Sequence, residues 1–134
     1  MNELVIAVDF DGIICHSEYP NVDDLDYEVI ELLKQLKEKG TYLILNTCRH
    51  GKPLQDAKNA LISKGLVFDT YNENLQHRIE LYGDCRKIGA HIYIDDRDIC
   101  HDHYRMIHLL RNLIDDYDYI KNQYLLREKA NYKY

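Results

Sequence analysis

Residues Leu4–Ile14 read LVIAVDFDGII, and this stretch constrains the fold more than any other part of the chain. Leu4 to Val8 form a short apolar run of the kind a parallel strand buried on both faces requires. The run stops at Asp9-Phe10-Asp11-Gly12, so two carboxylates two positions apart follow directly on buried backbone. At the carboxyl end of a central strand, both reach the crevice where open α/β sheets bind ligands. Gly12 lets the chain turn away without a side chain blocking that crevice. Carboxylates this close repel unless a cation or a proton sits between them. The stretch therefore points to a magnesium site, a shared proton, or both.

The remaining sequence alternates helix and strand. Asp23 or Asp24 is a candidate cap for a helix running to Lys39, with Val29, Ile30, Leu32, Leu33 and Leu36 on its apolar face and Gly40 as its stop. Thr41–Asn46 reads as a second buried strand, Pro53–Lys64 as a helix ended by Gly65, and Leu66–Tyr71 as a third, weaker strand. Residues Leu75–Lys87 suggest another helix, and Ala90–Ile94 a fourth strand running into Asp95-Asp96. This order predicts an α/β domain: a Rossmann-like parallel sheet of about four strands flanked by helices, plus a C-terminal helix. Residues 1–102 form the expected catalytic core and 103–134 a helical extension of the same domain.

Composition narrows the function classes. A chain of 134 residues with 46% hydrophobic content is one domain with one real core. Its formal charge of −6 does not favour nucleic acid or an anionic membrane as partner. No apolar run reaches the length of a membrane span, and the N-terminus is strand-like rather than signal-like, so a cytoplasmic protein is expected. Cys15, Cys48, Cys85 and Cys100 show no C-x-x-C pair and suit a reducing compartment. Cys15-His16 and Cys100-His101-Asp102-His103 lack the ligand spacing of structural zinc sites and read as small thiols and surface histidines.

In a parallel sheet all strand ends lie on one edge, so residues far apart in sequence converge there. Strand one ends in Asp9 and Asp11, strand two in Thr47 followed by Arg49, and strand four in Asp95 and Asp96, with Lys87 ahead of that last pair. An acidic pair, a hydroxyl, a fixed cation and further carboxylates make up the set that phosphoryl transfer needs. Arg49 is a candidate either for contacting a substrate phosphate or for a surface ion pair, and Gly12 is a candidate for the substrate side of this site. His16 and Tyr19, in the loop Ile13–Val22, are weaker candidates for facing substrate.

These motifs, in this order, resemble the haloacid-dehalogenase-like (HAD) hydrolase superfamily, and in particular its small capless phosphatases of the capsule-biosynthesis type. The resemblance rests on DFDG at Asp9–Gly12, LILNT ending at Thr47, Lys87, and IYIDD at Ile92–Asp96, and it covers residues 4 to about 98. It implies that Asp9 is a nucleophile forming an aspartyl phosphate and that Asp11 protonates the leaving oxygen and then activates water. It also implies that Thr47 binds a phosphoryl oxygen and that Lys87 neutralises Asp9 and the phosphate. Mg2+ would be held by the Asp9 carboxylate, the Asp11 backbone carbonyl and an acid of the Asp95-Asp96 pair, with Asp96 favoured. The chain departs from the common DFDGT pattern at Ile13, and no segment is long enough for a cap domain.

The expected activity is magnesium-dependent hydrolysis of a small phosphorylated metabolite such as a sugar phosphate or nucleotide. The alternatives are a non-catalytic phosphate- or metal-binding module, or a phosphatase acting on polynucleotide or protein phosphates. In the tail, Met106, Leu110, Leu113, Tyr117, Ile120 and Tyr124 fall on one stripe of a long helix. That stripe either covers the chain's own sheet or, the favoured expectation, pairs subunits in a homo-oligomer that walls the uncapped site. Tyr132 and Tyr134 fall in an end expected to fray.

Overall fold

The computed structural model describes residues 3–131, so Tyr132 and Tyr134 lie outside the described residues. The elements are β1 (Val5–Val8), α1 (Tyr27–Glu38), β2 (Tyr42–Leu45), α2 (Gly51–Ser63), β3 (Thr70–Tyr71), α3 (Gln76–Tyr82), β4 (Ile92–Ile94), α4 (His103–Asp115) and α5 (Tyr117–Asn131). The strands form one parallel sheet in the order β3-β2-β1-β4, flanked by the helices in a Rossmann-like arrangement. Every residue of β1 is buried. Alternation along the strand explains the unbroken apolar run: Ile6 and Val8 enter the main core, whereas Val5 and Ala7 face a smaller one with Ile44 and Leu75.

Register sets the working edge. Val8 pairs with Leu45 on one side and Ile94 on the other, and Leu45 pairs with Tyr71. The ladder runs one residue further: Asp9 N–H donates to Ile94 O, Asn46 N–H to Val8 O and Asn72 N–H to Leu45 O, each at 2.8 Å. The first residue past each strand is therefore held in one row, and the acids of β1 and β4 fall side by side.

Several boundaries differ from the expected ones, for local reasons. The cap of α1 is Asp26, whose Oδ1 accepts the Val29 N–H at 3.1 Å. Asp23 and Asp24 lie instead in an extended segment pinned by a Cys15–Leu25 bridge and by the bonds His16 N–H to Asp24 O and Asp26 N–H to Ile14 O. Helix α3 stops at Gly83, which takes φ +83°, because the residues beyond wrap around Asn74. The Asn74 side chain donates to Cys85 O at 3.0 Å and accepts the Gly89 N–H at 2.7 Å. Strand β3 is only Thr70–Tyr71, since just ahead of it the Leu43 N–H donates to the Asp69 carboxylate at 2.7 Å instead of to a backbone carbonyl of the neighbouring strand.

The expected single C-terminal helix breaks at Asp116, where the backbone leaves the helical region. The break lets α4 pack on α1 and α5 on α4. It also brings the Tyr117 hydroxyl within 2.7 Å of the Thr41 hydroxyl. Met106, Leu110, Leu113 and Tyr117 are buried in the chain's own core, with Ile120 and Tyr124 packed against it. The first four positions of the stripe considered for self-association are thus spent on the chain's own core, and Ile120 and Tyr124 only partly so. Glu128 fastens α5 to the sheet by accepting from Arg78 at 2.8 Å and meeting His91, whose Nδ1 accepts the Val5 N–H. No cap domain covers the carboxyl edge among the described residues, and no helix there is long and apolar enough to cross a membrane.

Candidate active site

Three carboxylates meet at the carboxyl edge. Asp9, Asp95 and Asp96 bring one oxygen each to within 4.8 Å of the others. Asp9 is oriented by its own turn, its Oδ1 accepting the Phe10 N–H at 2.8 Å. Burial, a hydrogen bond with the Asp96 side chain and the charge of Asp95 together push the Asp9 carboxyl up to about 7. A bond between two carboxyls requires that one carry a proton, so either a proton or a cation has to occupy this crowd. Asp95 Oδ1 also accepts the Arg97 N–H at 2.8 Å, which fixes the turn after β4.

Gly12 is what makes room for Asp96. With φ +86°, it occupies a backbone region that side-chain-bearing residues rarely adopt, and a Cβ there would fall 2.1 Å from Asp96 Oδ2. Its place in the site is against the Asp96 carboxylate rather than against open space for substrate.

Arg49 forms an ion pair rather than facing substrate, and the pair is buried on the arginine side instead of lying on the surface. Its side chain is only 1% exposed, and all five of its N–H donors are used inside the protein. Nε and Nη2 form a fork on Asp11 Oδ2 and Oδ1, both at 2.8 Å. Nη1 donates to Pro20 O and Pro53 O, and Nη2 also to Asn21 O. The guanidinium lies between the rings of Phe10 and Tyr19, at 4.8 and 5.0 Å from their centroids. No donor is left over for a substrate phosphate. Arg49 instead positions Asp11 and ties the loop after β1 to the start of α2.

Thr47 follows β2 and accepts the Arg49 N–H at 3.1 Å through Oγ1, which leaves its own hydroxyl proton free to donate. Asn72, in the left-handed region at φ 56°, braces this turn: its Oδ1 accepts the Thr47 N–H and its Nδ2 donates to Arg49 O. Lys87 is not brought to the acids. Its ammonium lies 5.1 Å from the Tyr93 ring centroid, and among the described residues it pairs with none of Asp9, Asp11, Asp95 and Asp96. The structure therefore assembles Asp9, Asp95 and Asp96, backs Asp96 with Gly12, ties Asp11 to Arg49 and sets Thr47 next to Arg49, while Lys87 stands apart.

The donor set suits a hard divalent cation. Three carboxylates within reach of one another, with no Lys or Arg paired to any of them among the described residues, are the oxygen donors that hard dications, Ca2+ and Mg2+ alike, take. Asp9, Asp96 and Asp95 would hold it. The side chain of Asp11 is committed to Arg49 and offers no oxygen to this cluster.

Fold and site together define an α/β domain of Rossmann type with a cluster of carboxylates at the carboxyl edge of its sheet. The chain is 31% identical to a conserved protein coded by a locus of Bacteroides thetaiotaomicron whose structure is solved. The match covers 82% of this chain and 91% of that one, with a TM-score of 0.70. The chain belongs to the family of that conserved protein. No family model matches it, and neither does any curated protein.

Proposed function

We propose that the protein is a magnesium-dependent phosphatase of the HAD type, hydrolysing a small phosphorylated metabolite through an aspartyl phosphate on Asp9. The observation that carries this reading is the clustering of Asp9, Asp95 and Asp96 past adjacent parallel strands, with Asp11 held two residues on by a buried arginine. The Phe10 N–H fixes the Asp9 carboxyl through Oδ1, and a carboxylate oxygen of Asp9 freed from Asp96 is the nucleophile toward phosphorus. As Asp9 attacks, the bond from phosphorus to the leaving oxygen breaks, and Asp11, with one oxygen freed from Arg49 and carrying a proton taken up from solvent, delivers that proton to the leaving oxygen. Water then attacks the phosphoryl group and gives its proton to Asp11, and the Asp9–phosphate bond breaks. The free hydroxyl proton of Thr47 is available to a phosphoryl oxygen. Bound Mg2+ supplies charge neutralisation among the carboxylates and on the transferred oxygens. Lys87, resting over Tyr93, takes no part in this scheme.

A second reading has its own support. Both oxygens of Asp11 accept from Arg49, so Asp11 must open one of these bonds before it can transfer a proton. A chain that never opened them would be a cation-binding module on the same scaffold. Hydrolysis of an aryl phosphate separates the two: the phosphatase turns over with Mg2+ and stops on chelation, whereas the module shows no turnover at any metal concentration. Among substrates, the formal charge of −6 favours small phosphorylated metabolites over polynucleotides, whereas the uncapped edge by itself admits a bulky phosphorylated end as readily as a small one.

A further inference from the structure

Two imidazoles and a carboxylate from distant parts of the chain converge outside the acidic crevice. Asp26 Oδ2 lies 3.0 Å from His16 Nε2 and 2.8 Å from His103 Nε2. The two rings stand edge to face, with centroids 5.1 Å apart. Backbone holds each member in place. His16 N–H donates to Asp24 O and Asp26 N–H to Ile14 O, which sets His16 beside Asp26. His103 opens α4, whose first turn is fixed by Asp102 accepting the Arg105 N–H.

We propose that His16, Asp26 and His103 form a binding site for a first-row transition-metal dication of the zinc class, separate from the site of Asp9, Asp95 and Asp96. Two imidazole nitrogens and one carboxylate oxygen are the donor set that Zn2+, Co2+ and Ni2+ select, whereas the all-oxygen crevice suits Mg2+. In a tetrahedral zinc site, bonds near 2.1 Å place neighbouring ligand atoms about 3.4 Å apart. The observed contacts of 2.8 and 3.0 Å need to open by only a few tenths of an ångström.

The surroundings favour an ion over a plain hydrogen-bonded cluster. Asp26 is oriented by its other oxygen, which accepts the Val29 N–H and caps α1, so Oδ2 is presented at a fixed angle. Neither Nδ1 of His16 nor Nδ1 of His103 makes a hydrogen bond among the described residues, so each can take the ring proton and free Nε2 as a ligand. Side-chain exposures of 36% for His16, 27% for His103 and 15% for Asp26 let an ion enter and water complete its shell. Such an ion joins the loop leaving β1 to the start of α4. These two segments carry Asp11 and follow Asp95-Asp96, so the ion stiffens the approach to the crevice whatever chemistry takes place there.

The test is a Co2+ titration of the full chain, read by visible absorption, with excess Mg2+ present to occupy the acidic crevice. One equivalent with the intense bands of low coordination is expected in the wild type and in Asp96→Asn. Loss of about 100-fold in affinity is expected in His16→Ala, His103→Ala and Asp26→Asn, the last of which keeps a capping side chain at α1. Zn2+ added to the wild type should move the ring-proton resonances of His16 and His103 ahead of those of the other histidines, a readout that needs no variant to fold. Absence of Co2+ and Zn2+ binding below millimolar metal, bands that survive loss of both histidines, or a sulfur charge-transfer band tracing the ion to a cysteine would each overturn the proposal.

Discussion

Arg49 and Asp11 are joined by two parallel hydrogen bonds of 2.8 Å, and the arginine behind them is buried. Only a planar fork meets both oxygens of Asp11 while also reaching three backbone carbonyls. Arg49→Lys keeps the charge but offers a single point of contact, leaving several of those oxygens without a donor. A loss on the order of 2–4 kcal/mol is expected in denaturant unfolding, in the range for breaking buried pairs. A change within 0.5 kcal/mol would mean that the fork contributes little.

Gly12→Ala places a methyl 2.1 Å from Asp96 Oδ2 and 2.4 Å from its Cγ, at a φ that costs an alanine about 1–2 kcal/mol. Asp96 must swing away, so the variant is expected to lose Mg2+ affinity by about tenfold or more together with thermal stability. Calorimetric titration with Mg2+ measures the first. Unchanged affinity would place the cation away from Asp96.

Asp9 gives a pH signature. Its folded-state carboxyl sits near 7 against an ordinary 3.8, so the folded chain holds this proton more tightly than the unfolded one. Its contribution to stability is therefore full below about pH 3.8 and is lost as pH rises through about 7. Asp9→Asn carries no such penalty. Without metal, the variant is expected to match the wild type near pH 4 and exceed it above pH 7, by on the order of 1–3 kcal/mol. Mg2+ should shrink that gap. Melting temperatures of both proteins across this range, with and without Mg2+, are the check, and a gap that narrows as pH rises would reverse the assignment.

Leu110 tests where the C-terminal stripe is spent. It is 4% exposed in the monomer's own core, so Leu110→Ala is expected to lose about 2–5 kcal/mol at every protein concentration. A loss that grows on dilution, with light scattering showing dissociation, would mean that the stripe pairs subunits.

The sheet was legible in the sequence because β1 is buried on both faces, and an unbroken apolar run has few other uses in a short α/β chain. The acids were legible because they follow strands directly. Arg49 was misplaced because sequence shows a cation beside a phosphate site but not the Pro20, Asn21 and Pro53 carbonyls folded around it. Asn72 was missed because an asparagine after a short strand looks like any turn residue until its left-handed backbone and its bonds to Thr47 and Arg49 are seen. The sequence puts Lys87 at the end of a helix from Leu75, yet Gly83 ends that helix and the loop beyond it closes on Asn74. The break at Asp116 has no strong sequence signal, since neither Gly nor Pro marks it.

The most direct test of Asp9 as the phosphoryl acceptor is acid quenching during turnover of an aryl phosphate with Mg2+, followed by mapping of the phosphorylated peptide. One phosphoryl group is expected on the peptide containing Asp9. It should be absent in Asp9→Asn and longer-lived in Asp11→Asn, which can no longer activate water. Turnover that continues in Asp9→Asn, or a wild type that neither hydrolyses the phosphate nor acquires the label, would contradict the account.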